Sequence, residues 1–136
     1  MRKDKRTAVR KGSLPVGPMS QSRSVLVLED SVLVAMAIEA ALSDRGFEAI
    51  IAGSLAAADE RLGKMRPFAA LLDLHLPDGD AVGLAHRLND QGCQVAVSSG
   101  VDAVPAALAF ARIFRKPVAA EDLAAWVAEV ASPRDA

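Results

Sequence analysis

Five short apolar runs, each followed by a stretch with helix start and stop signals, constrain the fold of this chain more than any other feature. "SVLVLE" (24–29) is a continuous apolar run of the kind that forms a strand buried on both faces. Asp30 and Ser31, both good N-cap residues, then introduce "VLVAMAIEAALSDR" (32–45), which Gly46 closes as a helix. "FEAIIA" (47–52) reads as the second strand, Gly53-Ser54 as a turn and cap, and "LAAADERLGKM" (55–65) as a helix closed by Pro67. The unit repeats with "FAALLDL" (68–74) as strand, "GDAVGLAHRLNDQG" (79–92) as helix and "CQVAVSS" (93–99) as strand. "DAVPAALAFA" (102–111) is a short helical stretch and "RIFR" (112–115) a short fifth strand. "VAAEDLAAWVAEVA" (118–131) is a final amphipathic helix, with Trp126 expected to pack onto the sheet. Five strands alternating with five helices imply right-handed crossovers, hence an α/β fold with a parallel sheet between helical layers.

With 136 residues the chain holds one domain with a real core and has no room for a second. The net charge of −1 hides a division: residues 1–24 carry seven Lys or Arg against one Asp, a balance of +6, and the rest carries −7. With Gly12, Pro15, Gly17, Pro18 and several serines in the same stretch, residues 1–23 read as a disordered basic tail. Pro15 and Pro18 disfavour a helical transit peptide there, and Met19 is an alternative start. The domain is then expected over 24–131, followed by a short tail, 132–136. Cys93 is the single cysteine, so no intrachain disulfide forms. With no secretory segment and no apolar stretch of the ~18 residues that span a bilayer, the expected setting is cytoplasmic and reducing.

In open parallel sheets, binding sites form beyond the carboxyl ends of the strands. Those ends carry Glu29-Asp30 on the first strand and Asp73 on the third, then Ser98-Ser99-Gly100 on the fourth and Arg115-Lys116-Pro117 on the fifth. Taken singly, Asp30 reads as a helix cap, Asp73 as a turn residue before Pro77-Asp78-Gly79, Ser99 as a loop hydroxyl and Lys116 as a solvated lysine. Together they make coherent chemistry. Three crowded carboxylates repel one another, and a hard divalent cation such as Mg²⁺ relieves that repulsion. An aspartate beside Mg²⁺ can act as a nucleophile toward phosphorus, with a lysine and a hydroxyl binding the new phosphoryl oxygens.

"VLVLED", "LLDLHLPDGD", "SSG" and "RKP", in this order over about residues 24–131, resemble a response-regulator receiver domain (CheY-like) of bacterial two-component signalling, in its single-domain form. The resemblance implies a flavodoxin-like, doubly wound five-stranded parallel sheet in the order 2-1-3-4-5. It implies Asp73 as the phosphoacceptor. Mg²⁺ would be bound by Asp30, Asp73 and the backbone carbonyl of His75, with Glu29 acting through water. Ser99 would be the switch hydroxyl, and Ser98 a weaker candidate because the family places a small residue directly after the hydroxyl. Lys116 would bind the phosphoryl group and pair with Asp73, and its bond to Pro117 would be cis.

Two departures from the family pattern stand out. Ile113 occupies the place of an aromatic switch residue, and Phe114 beside it should face the other side of the strand. The stretch from Ser99 to Lys116, which contains Pro105, is short, so the fourth helix should be short or irregular. His75 is expected to tune the lifetime of the acyl phosphate, His86 to lie on the surface and Cys93 to be core. The function implied is a phosphorylation-dependent switch and not an enzyme. It would accept its phosphoryl group from a histidine kinase or histidine phosphotransfer protein. It would act on a downstream protein through helix four, strand five and helix five, or as a phosphate sink, without binding nucleic acid or membrane. A degenerate receiver that binds partners without phosphorylation is the alternative. A haloacid dehalogenase-type phosphohydrolase is less favoured, because it needs a second Asp where His75 stands.

Overall fold

The apolar runs form the central strands because each is short, rich in Val, Leu, Ile and Ala, and closed by a turn residue. The computed structural model describes residues 23–100 and 104–131. Strand β1 (Ser24–Leu28) leads to helix α1 (Val32–Asp44), β2 (Glu48–Ala52), α2 (Leu55–Leu62) and β3 (Ala69–Asp73). A two-stranded hairpin, β4 (His75–Leu76) and β5 (Gly79–Asp80), precedes α3 (Val82–Asp90) and β6 (Gln94–Ser99). A single 3-10 turn (Ala106–Leu108), β7 (Arg112–Arg115) and α4 (Ala120–Ala131) complete the chain.

The main sheet is parallel throughout, in the order β2-β1-β3-β6-β7. Counting its five strands in chain order, this is the expected 2-1-3-4-5. Side chains alternate across the sheet and sort into two cores. Val25, Val27, Ala69, Leu71 and Ala96 pack with Ile38 and Leu42 of α1 and with Leu123, Trp126 and Val127 of α4. Leu26, Leu28, Ala70, Leu72, Val95 and Val97 pack with Ala58 of α2, Leu84 and Leu88 of α3, and Leu108. Trp126 thus lies on the sheet, only 7% exposed, as expected.

Helix α1 starts at Ser31, whose hydroxyl accepts from the Val34 N–H, and ends before Gly46, whose φ of +83° suits glycine. Arg23, assigned to the tail from sequence, is held there: its Nε donates to the Gly46 carbonyl, and its guanidinium stacks 4.3 Å from the Phe47 ring.

Three expectations need correction. The fourth crossover contains no α-helix among its described residues, only the 3-10 turn, so the main sheet is flanked by four helices and not five. Pro105 precedes that turn and lacks the N–H that a helix would use. Helix α3 begins at Val82, not Gly79, because Gly79-Asp80 pairs antiparallel with His75-Leu76 and the Asp80 carboxylate accepts from the Val82 N–H at 3.0 Å. Helix α2 ends at Leu62, where Gly63 caps it, short of the expected Met65. The basic tail up to residue 22, the alternative start at Met19, residues 101–103 and the tail 132–136 lie outside the described residues. Among the described residues, no helix is long and apolar enough to cross a membrane.

Candidate functional site

The carboxyl ends of β1, β3, β6 and β7 converge on one rim of the sheet, as the register requires. Asp73 is the last residue of β3 and continues the row of Ala69 and Leu71, so its carboxylate faces the α1/α4 side. It is buried, with 6% exposure. A buried carboxylate needs partners, and it has two. Lys116 Nζ lies 3.0 Å from Oδ2, and the His75 N–H donates to Oδ1 at 3.3 Å.

Glu29 and Asp30 follow directly from β1, the neighbour of β3. Glu29 is buried and accepts from the Ser31 N–H at 3.0 Å, while Asp30 is exposed. One carboxylate oxygen from each of Glu29, Asp30 and Asp73 falls within 4.8 Å of the others. Burial pushes the Glu29 carboxyl above its usual range; the Ser31 N–H opposes this, and the charges of Asp73 and Asp30 add to it against Lys116. Three converging carboxylate oxygens are the donor set that a hard cation such as Mg²⁺ prefers, and its charge would offset their repulsion. The residues present therefore fit the ion. Glu29, Asp30 and Asp73 are the residues that would hold it.

A cavity of about 770 Å³ opens over this cluster. Glu29, Asp30, Asp73, Ser98, Lys116 and Pro117 line its polar end, and Leu33, Val34, Val118 and Leu123 belong to its apolar wall. The Lys116–Pro117 peptide is cis. Ser98 stands opposite Asp73 in the β3–β6 register and is half-buried. Ser99 continues the row of Val95 and Val97, which packs on the α2/α3 side, and is 1% exposed. Its carbonyl accepts from the Lys116 N–H at 2.9 Å, which ties the ends of β6 and β7 together.

The rim thus gathers Glu29, Asp30, Asp73, Lys116 and Pro117 as the sequence suggested, but of the two serines it places Ser98, the weaker candidate, in the cavity, because side chains alternate along β6 and Ser99 falls on the other face. His75 is exposed, at the start of the hairpin. Its neighbour Asp78, which the sequence reading gave no role beyond a turn, accepts from the Leu55 and Ala56 N–H groups at 2.9 and 3.1 Å. The hairpin is thereby fastened to the start of α2. The Pro-Asp-Gly triplet marked the turn, but nothing local to it indicated that the carboxylate would reach another helix.

Ile113 packs with the α2/α3 core and Phe114 with the α1/α4 core, opposite faces as expected. Phe114 also carries the Arg112 guanidinium 4.6 Å from its ring. His86 is exposed on α3, with its ring 5.0 Å from that of Phe110. Cys93 is buried, and burial pushes its thiol up to about 12. Asp73 ends the third strand and not the first, unlike the dehalogenase-type arrangement.

No family model matches the chain. A response regulator receiver protein of Anaeromyxobacter sp. is 44% identical over 70 residues, covering 48% of this chain and 28% of that protein's length. Among solved structures, the CheY-like receiver domain protein from Methanospirillum hungatei JF-1 matches with a TM-score of 0.71 at 21% identity, over 81% of this chain and 94% of that one. A response regulator protein from Burkholderia pseudomallei, solved with a phosphorylated aspartic acid, a calcium ion and citrate, matches with a TM-score of 0.65 at 24% identity. That match covers 79% of this chain and 69% of the other. In fold, with its five-stranded parallel sheet between helical layers, the chain is like the response-regulator receiver domains.

Proposed function

We propose that this protein is a phosphorylation-dependent signalling switch whose phosphoacceptor is Asp73. The observation that carries the reading is the joint placement of Asp73, Lys116 and the Glu29–Asp30 pair at one rim of the sheet, at the mouth of a cavity. An oxygen of the Asp73 carboxylate attacks the phosphorus of a phosphohistidine on a histidine kinase or histidine phosphotransfer protein. The P–N bond breaks, its electron pair returns to the imidazole, which takes up a proton, and Asp73 is left as an acyl phosphate. Lys116 counters the added negative charge, and Ser98, opposite Asp73 in the cavity wall, supplies the switch hydroxyl in place of the expected Ser99. Mg²⁺, held by Asp30, Asp73 and the His75 carbonyl with Glu29 acting through water, would draw charge from the phosphoryl oxygens. His75, beside the acceptor and exposed, controls the approach of the water that ends the phosphorylated state.

The donor docks against α1. Val32, Leu33 and Met36 are 70, 80 and 56% exposed, and Leu33 lines the same cavity as Asp73. An apolar turn beside an acidic site suits a partner that must bring its phosphohistidine to that rim. The output passes to a downstream protein through the face formed by the 3-10 turn, β7 and α4, or the protein drains its kinase as a phosphate sink. It works in the cytoplasm and contacts neither nucleic acid nor membrane. The contracted fourth crossover favours a second reading, a receiver that binds partners without phosphorylation.

Intact-protein mass spectrometry after incubation with acetyl phosphate, with and without Mg²⁺, separates the two. The switch gains one phosphoryl group (about 80 Da from its composition) only with Mg²⁺, and Asp73→Asn gains none. Absence of both an adduct and a beryllofluoride complex would leave the phosphorylation-independent binder.

A further inference from the structure

The turn of the β4–β5 hairpin carries a side chain whose bonds lead away from the acidic site and back to it. Asp78 is exposed, yet its two carboxylate oxygens accept from the Leu55 and Ala56 N–H groups, 23 and 22 residues away in sequence. Helix α2 has a cap of its own, because the Ser54 hydroxyl accepts from the Ala57 N–H at 3.1 Å. An aspartate needed only for the turn could leave its carboxylate in water. Gly79 brings the turn against the same helix: a Cβ there would stand 3.1 Å from Leu55 Cδ1. From Asp78 the main chain runs back through the β4–β5 pairing to His75, whose N–H donates to Asp73 Oδ1 at 3.3 Å. In the other direction, the residues before α2 lead to Ala52, whose carbonyl accepts from the Glu29 N–H at 3.0 Å. Asp78 thus closes a circuit that joins the loop after Asp73 to the strand end that carries Glu29 and Asp30.

We propose that Asp78 is a positioning residue of the metal and phosphoryl site, holding the His75 main chain against Asp73 by anchoring the hairpin on the start of α2. This rests on the reading of Glu29, Asp30 and Asp73 as that site. Strands β4 and β5 form a sheet of their own, outside the five-stranded one. Their inner end is held by the Leu74 N–H, which donates to the Ser98 carbonyl at 2.9 Å, and by Leu74 and Leu76 in the core. Their outer end is held by Asp78. Without that carboxylate the turn comes loose from α2, and the His75 main chain loses its fixed aim at the site. The link works in both directions: what the strap adds to the affinity of the site, a filled site returns to the strap. Filling the site therefore steadies the first turn of α2, which packs on the opposite side of the sheet from the cavity over Asp73.

The test compares wild type with Asp78→Ala, Asp78→Asn and Asp59→Ala in the full chain, at a temperature where melts show all four folded. Asp59, also on α2, pairs with Arg87 at 2.8 Å and lies outside the acidic cluster and its cavity, so its loss reports what a weakened helix does by itself. Asp78→Ala should bind Mg²⁺ about tenfold more weakly, the lower end of the range for residues that support metal ligands. Asp78→Asn, which keeps one acceptor oxygen, should recover part of that loss, and Asp59→Ala should match wild type. Amide hydrogen exchange gives the second readout. Saturating Mg²⁺ should slow exchange at Leu55 and Ala56 in wild type by the same factor as the affinity loss, and the slowing should vanish in Asp78→Ala. Mg²⁺ affinity in Asp78→Ala equal to that of wild type, or equally weakened in Asp59→Ala, overturns the positioning role. So does exchange at Leu55 and Ala56 that ignores Mg²⁺. In each of these cases a wild type that still takes up beryllofluoride leaves the Asp73 reading standing. A wild type that binds neither Mg²⁺ nor beryllofluoride overturns the Asp73 reading, and this inference with it.

Discussion

Lys116 Nζ lies 3.0 Å from Asp73 Oδ2, joining a lysine side chain that is 38% exposed to a carboxylate side chain that is only 7% exposed. The pair closes the distance between the last strand and the third, and it sets a cation against a cluster of three carboxylates. Lys116→Met removes the ion-paired cation and leaves the carboxylates facing one another. We expect the variant to lose about 1–2 kcal/mol of stability in metal-free buffer, less than a fully buried pair would forfeit because the lysine is partly solvated. Added Mg²⁺ should return more stability to the variant than to wild type. Urea unfolding with EDTA and with Mg²⁺ measures both quantities, and equal curves would show that the pair contributes nothing.

The exposed turn of α1 separates recognition from chemistry. Met36 is 56% exposed and stands outside the cavity wall, so Met36→Glu leaves the fold and the acidic site intact. Phosphorylation by acetyl phosphate should be unchanged in this variant, whereas transfer from a phosphohistidine protein should slow by about tenfold or more. Timed transfer assays with the two donors check this. Equal slowing with both would place the defect at Asp73 and not at docking.

The Asp78 carboxylate receives two N–H groups from the start of α2, and these bonds hold its carboxyl below the usual range. A carboxyl whose folded pKa is lowered contributes stability above its unfolded pKa and loses it as the pH falls through the folded value. Wild type should therefore be more stable than Asp78→Ala at neutral pH. The gap should narrow as the pH drops below the ordinary aspartate range, near pH 4. Thermal melts of both proteins between neutral and strongly acidic pH provide the comparison. A gap that stays constant would mean the loop is fastened by something other than that charge.

The thiol of Cys93 is 7% exposed as a residue and pushed up to about 12 by burial, so the nucleophilic thiolate is scarce at neutral pH. Native protein should react slowly with a disulfide reagent at pH 8 and rapidly in denaturant. Fast labelling of the folded protein would show that the strand end opens on the time scale of the assay.

Much of the architecture was legible because its signals are local. The run at 24–28, the caps at Ser31 and Ser54 and the glycine at 46 each act within a few residues, and the elements fall where those residues place them. The hairpin at 75–80 was not legible: a two-residue strand shows no periodicity, and it took over residues assigned to the start of α3. The fourth crossover was expected to hold a short or irregular helix; with Pro105 before it, it has a single 3-10 turn among its described residues. At the rim, residue type at each strand end was enough to nominate Glu29, Asp30, Asp73 and Lys116. Which of Ser98 and Ser99 looks toward Asp73 depends on how β6 is registered against β3, and register is a property of two strands that neither sequence segment contains.

The bond from the Lys116 N–H to the Ser99 carbonyl joins main chain to main chain. In the proposed switch, Lys116 and Ser98, the residue before this serine, both face the phosphoryl group from the cavity wall. The bond of 2.9 Å joins the end of β6 to the residue that follows β7, so the two strand ends are linked through main chain alone. Ile113, within β7, stands outside this linkage, which belongs to the backbone.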